Sequence, residues 1–120
     1  MGIERDPIIA QVLFDTNGVG APTVRSGANK VTVARTGVGV FTLTRDADAG
    51  VGAFDTTRDY VKLEQVDGAG AGKLACVTSI AADVITITMR TLGAGGGGAA
   101  TETTGVKIAA IVRRAPRLAT

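Results

Sequence analysis

The chain has 120 residues, of which 45% are apolar, with 17 glycines, one cysteine, no histidine and a formal net charge of +2. Without histidine the commonest general base and metal ligand is missing, which removes Ser-His and Cys-His nucleophile pairs and leaves no cofactor or metal to expect. So slight a charge does not by itself imply nucleic acid, and the length suits one domain that buries roughly two-thirds of its unfolded surface.

Residues 1 to 7 are charged and end at Pro7, which reads as a loose arm. Its start does not resemble a signal peptide, and no run approaches the ~18 apolar residues of a membrane span. Ile8 to Phe14 is apolar enough for a first strand, and Asp15-Thr16-Asn17-Gly18 supplies a turn because Asn and Gly tolerate positive φ. From Val19 to Asn29 the glycines, Pro22 and Ser26 predict an irregular segment. Residues 1–29 are therefore expected to form an N-terminal arm with one strand, separable from a domain over 30–114. A short tail covers 115–120.

The clearest element is Lys30 to Arg45. Two runs rich in β-branched residues flank Gly37-Val38-Gly39, which suits a three-residue hairpin loop with a left-handed glycine. That loop sets Val33 opposite Leu43 and Arg35 opposite Phe41. One face then carries Val31, Val33, Phe41 and Leu43, and the other carries Thr32, Thr42 and Thr44. Asp46 to Gly52 reads as a loop. Tyr60–Val66, Lys73–Ser79, Val84–Arg90 and Gly105–Arg113 read as further strands, separated by the glycine-rich stretches 68–72 and 93–100. About seven strands and no helix predict an all-β fold, an antiparallel β-sandwich or short barrel.

Candidate chemistry is sparse. Gly68 to Lys73 superficially suggests a phosphate loop, but Asp67 stands where its first glycine belongs and Leu74 where the magnesium-binding hydroxyl belongs. Asp46 with Asp48, and Asp15 with Asn17, lack the spacing of a calcium loop and read as turn residues. Cys76 reads as a small buried apolar residue. Phe14, Phe41, Phe54 and Tyr60 read as core, and Arg113, Arg114 and Arg117 as a solvated or ion-pairing end. Neither an enzyme nor a direct nucleic-acid or membrane partner is expected. A chain this apolar is expected to bury part of its surface against identical copies.

The stretches Arg35–Thr44, Val84–Thr91 and Val106–Arg113 together resemble small virion proteins of tailed bacteriophages. In that group a Gly-x-Gly-x-aromatic strand precedes a Val-x-Ile-x-Thr strand and a final apolar strand ending in arginine. Phe41 stands where the group often has tyrosine, and the last loop is polyglycine instead of an Asp-containing turn. The resemblance implies a capsid cement or decoration protein, commonly a homotrimer, bound to the major capsid protein on the virion's outer surface and bridging capsomers. Extended segments are the expected contacts, with Ile8, Ile9, Val12, Phe14, Pro22, Val24 and Arg25 as the capsid-binding residues. Removal of residues 1 to 14 is expected to leave the sandwich folded. A fibre, spike or tail component and a carbohydrate-binding module for host attachment are the alternatives.

Overall fold

The computed structural model describes residues 6–27, 30–66, 73–91 and 99–116. Among these residues, eight strands form two four-stranded sheets, all neighbours antiparallel. The strands are β1 (Ile8–Asn17), β2 (Thr23–Ser26), β3 (Val31–Gly37), β4 (Val40–Arg45), β5 (Asp59–Val66), β6 (Lys73–Ile80), β7 (Val84–Thr91) and β8 (Thr104–Arg114). Sheet A has the order β2-β1-β8-β5 and sheet B the order β3-β4-β7-β6. The sheets stack as a β-sandwich, the fold class the strand pattern predicts.

Alternation along each strand explains the stacking. Ala10, Val12 and Phe14 of β1 and Val106, Ile108, Ala110 and Val112 of β8 are buried on the inner face of sheet A. They meet Val31, Phe41, Leu43, Ile85, Ile87 and Met89 of sheet B. The Phe14 and Phe41 rings cross the interface at 5.5 Å with a 52° tilt, within the range favoured by the aromatic quadrupole. Phe54 is buried in the same core, and half-buried Tyr60 donates its hydroxyl to Asp6 Oδ2 at 2.6 Å.

The β3–β4 hairpin has the expected register, Val33 opposite Leu43 and Arg35 opposite Phe41, with Gly39 left-handed at φ 64°. Asp46 caps a single 3-10 turn over Ala47–Ala49 that ends at left-handed Gly50, so the acidic loop is turn chemistry.

Several expectations change. β1 continues through Asp15 and Thr16, and the turn falls at Asn17–Gly20, where the Gly20 amide donates to the Asn17 carbonyl. The strand persists because Thr16 is buried at its end: its Oγ1 accepts from Thr103 Oγ1 at 2.9 Å and from the Val106 amide at 3.2 Å. The segment expected to be irregular contains β2, paired with β1. Residues 8–26 are thus strands of sheet A, not an arm, and β1 lies between β2 and β8. Cys76 is half-exposed on the outer face of sheet B, because neighbouring Ala75 takes the inward position. The glycine-rich stretches 68–72 and 93–98, residues 1–5 and Arg117 lie outside the described residues.

Candidate functional site

The strongest candidate contact surface is the outer face of sheet A. In most sandwiches the outward positions of a strand are polar. Here Leu13 of β1 is registered beside Ala109 of β8, and Gln11 beside Ile111. All four point outward, since Val12, Phe14, Ile108, Ala110 and Val112 point in. Across β8, Lys62 and Glu64 of β5 flank Ile111 and Ala109. A shallow depression of about 180 Å³ opens between β1, β2 and β8, lined by Gln11, Val12, Leu13, Ser26, Ala109 and Ile111.

The expected contact residues divide around this face. Ile8 is 47% exposed, registered beside Arg113 at the outward edge. A register shift between Ile8 and Ala10 turns half-buried Ile9 partly onto the core. Val12 and Phe14 are 3% and 0% exposed, which removes their side chains from any surface contact: as inward residues of a paired strand they hold the sheets together. Val24, opposite Phe14, is half-buried against the same core, and Pro22 is half-buried in the β1–β2 connection. Arg25 is exposed and reaches back to Asp15 Oδ2 at 2.7 Å. That hydrogen bond holds the guanidinium above its ordinary pKa. A register shift between Leu13 and Phe14 accommodates the extra residue in β2.

Gln11, Leu13, Ala109 and Ile111 were not singled out by sequence reasoning. A signal existed: Val106 to Val112 is apolar at inward and outward positions alike except at Lys107, the mark of a strand covered on both faces.

Several ionisable groups are engaged in structural contacts. Glu102, in the connection between β7 and β8, receives the Gly39 amide and Arg35 Nε, the latter at 3.0 Å. Burial is the largest influence on its carboxyl and pushes the pKa up, but those two donors together bring it below the usual glutamate value. At the far end of the sandwich, Arg114 Nε and Nη2 grip Asp59 at 2.6 and 2.9 Å, with the Asp59 side chain fully buried. The Asp59 hydrogen bond raises the Arg114 pKa. Asp55 accepts from Arg58 Nε at 2.8 Å and from the Thr57 hydroxyl and amide, which hold its carboxyl well below the usual range. Arg113 donates to the Asp6 carbonyl at 2.7 Å. Arg113 therefore ties Asp6 to β8, and Arg114 ties β8 to the start of β5. Among the described residues no group of three or more Cys, Asp or Glu is placed to hold a metal ion.

No known protein family, curated protein or solved structure matches the chain.

Proposed function

We propose that the chain is a non-enzymatic structural protein of a tailed-bacteriophage virion. It acts as a cement protein that binds the major capsid protein on the outer capsid surface and stabilises capsomer junctions as a homotrimer. The observation that carries this reading is the apolar outer face of sheet A, where Leu13, Ala109 and Ile111 border a shallow depression instead of the polar residues an isolated sandwich would present there. Such a face gains roughly 25 cal/mol for each Å² of apolar surface withdrawn from water. Contacts too weak to hold a single copy become firm when several are linked and engage a repeating lattice together. The resemblance of residues 30 to 114 to small virion proteins supplies the partner.

The test mixes the purified protein with shells that lack it and measures co-sedimentation, while sedimentation of the protein alone reports its oligomeric state. Saturable binding to shells by a trimer is the expected result. Absence of binding to shells, with binding to host cells or to a glycan array instead, refutes it.

A further inference from the structure

Each sheet of the sandwich has two edge strands, and their backbone edges are not equally protected. β2 is only four residues long. The edge of β6 is capped by the Gln65 side chain, which donates to the Lys73 carbonyl and accepts from the Ala75 amide, and a register shift between Val77 and Ser79 interrupts its line. β3 and β5 run for seven and eight residues, long enough to template a further strand. On β5 the hydrogen-bonding phase is fixed. The Ala115 amide donates to the Arg58 carbonyl, so in this antiparallel register Tyr60, Lys62, Glu64 and Val66 exchange backbone bonds with β8, and the backbone groups of Asp59, Val61 and Leu63 turn away from it. The Asp59 amide donates to the Asp55 carbonyl. The amides and carbonyls of Val61 and Leu63 have no partner among the described residues.

The side chains along that edge are ordered so that a second copy of β5 fits it in one register. A two-fold axis at Leu63 of two antiparallel β5 strands brings the open backbone groups of one copy to those of the other. It sets Lys62 opposite Glu64 of the second copy and Glu64 opposite its Lys62, at pairs without backbone hydrogen bonds, where side chains stand closest. Within one copy these two charges lie 3.6 Å apart and are 49% and 63% exposed, so each gains a second opposite charge. Tyr60 falls opposite Val66, which is 65% exposed, an aromatic and β-branched pair of the kind that stabilises sheets. Val61 and Leu63, half-buried against the margin of the core, are covered from the side. Neighbouring registers fail. An axis at Lys62 or at Glu64 sets like charges opposite each other, and one at Val61 calls on the Asp59 amide, already given to Asp55. β3 has no such order: an axis at Val33 sets Thr32 opposite Ala34, a pair that selects no register.

We propose that the edge of β5 is a docking surface whose occupant is β5 of a second copy of this chain, paired antiparallel about Leu63, so that one sheet A continues into the next. Charges on an edge strand ordinarily keep a neighbour away. Here the order Lys62-Leu63-Glu64, read against its own reverse, turns that repulsion into attraction and favours a copy of this chain over an unrelated strand. The contact runs along the strand edge, at right angles to the outer face of sheet A, and leaves Leu13, Ala109 and Ile111 uncovered. The joined sheet presents that face twice, side by side. The proposal is independent of the capsid reading. A two-fold contact joins copies two by two, so it yields a dimer or, where copies also close into trimers, a pair of trimers.

Sedimentation equilibrium of the full chain over a range of concentrations tests this with wild type, Lys62→Glu, Glu64→Lys and the exchange Lys62→Glu/Glu64→Lys, with circular dichroism verifying the fold of each. Wild type is expected to associate in even numbers. Each single reversal replaces two opposite-charge pairs by two like-charge pairs and should weaken that association about tenfold or more. The exchange restores both pairs and should return association to near the wild-type level. The two reversals change the net charge in opposite directions, so a general charge effect does not weaken both. Register is read separately: Lys62→Cys/Cys76→Ser chains mixed with Glu64→Cys/Cys76→Ser chains in air should form a disulfide with each other in preference to their own kind. A wild type that stays monomeric or forms trimers alone overturns the proposal and leaves the capsid reading intact. So does association that the single reversals leave unchanged, that the exchange fails to restore, or that shows no preference for the mixed disulfide. Absence of shell binding by a wild type that passes these tests overturns the capsid reading alone.

Discussion

Gly39 joins the central hairpin to the β7–β8 connection, and replacing it with alanine separates two physical effects. Its φ of 64° is left-handed, which costs an alanine about 1–2 kcal/mol. A Cβ at this position would also lie 2.9 Å from the Thr101 amide nitrogen and carbonyl carbon, and closer still to the carbonyl oxygen. The Thr101 backbone would have to withdraw, loosening its 2.9 Å hydrogen bond to the Met89 carbonyl and the neighbouring Glu102 contact to the Gly39 amide. Those bonds contribute about 1 and about 2 kcal/mol when intact, and losing most of that on top of the backbone cost puts Gly39→Ala at about 3–5 kcal/mol in all. Gly50 is left-handed at 83° with nothing near its Cβ position, so Gly50→Ala should show the backbone cost alone, about 1–2 kcal/mol. Gly37 has a negative or extended φ, and the nearest atoms to its Cβ position are Val40 carbons at 3.8 Å. Gly37→Ala should therefore be neutral or slightly stabilising. Urea unfolding of the three variants reads the series directly, and thermal melts should place Gly39→Ala roughly 12–20 °C below wild type. If Gly39→Ala is no worse than Gly50→Ala, the close approach of Thr101 is wrong.

Three further outcomes follow from the packing and the charges. Deleting residues 1–14 removes Ala10, Val12 and Phe14 from the core and should leave a chain without cooperative unfolding; a folded sandwich by far-UV dichroism would contradict the placement of β1 inside sheet A. Arg114→Met strands the fully buried Asp59 carboxylate with the Asp55 amide as its remaining donor among the contacts described, and should cost about 3–5 kcal/mol in urea unfolding; a loss below 1 kcal/mol would mean that the pair is solvated. Glu102 has a depressed pKa in the folded chain. It therefore binds fewer protons there than in the unfolded chain over the interval below its ordinary value of 4.5. Its stabilisation is complete above that value and is lost as pH falls through the lower, folded one. Glu102→Gln should accordingly flatten part of the acid limb of a stability-against-pH curve, and an unchanged limb would exclude the clasp.

The elements legible in the sequence are those with one wet and one dry face. Val31, Val33, Phe41 and Leu43 alternate with threonines, and a three-residue glycine loop fixes their register, so the hairpin could be written down to its opposed pairs. β2 was illegible for the opposite reason. Thr23-Val24-Arg25-Ser26 is short, lies at a sheet edge and turns a single half-buried apolar residue inward, leaving no period to read. In Leu74-Ala75-Cys76-Val77 the run is apolar at every position. Parity is then set by the Cys76–Thr88 pairing in the sheet, which directs Cys76 outward. Glu102 carried no local signal because its partners, Gly39 and Arg35, are more than sixty residues away. The outer face of sheet A lay between these cases. Its apolar outward residues were visible in β8, but only the pairing with β1 brings Leu13 and Gln11 beside them.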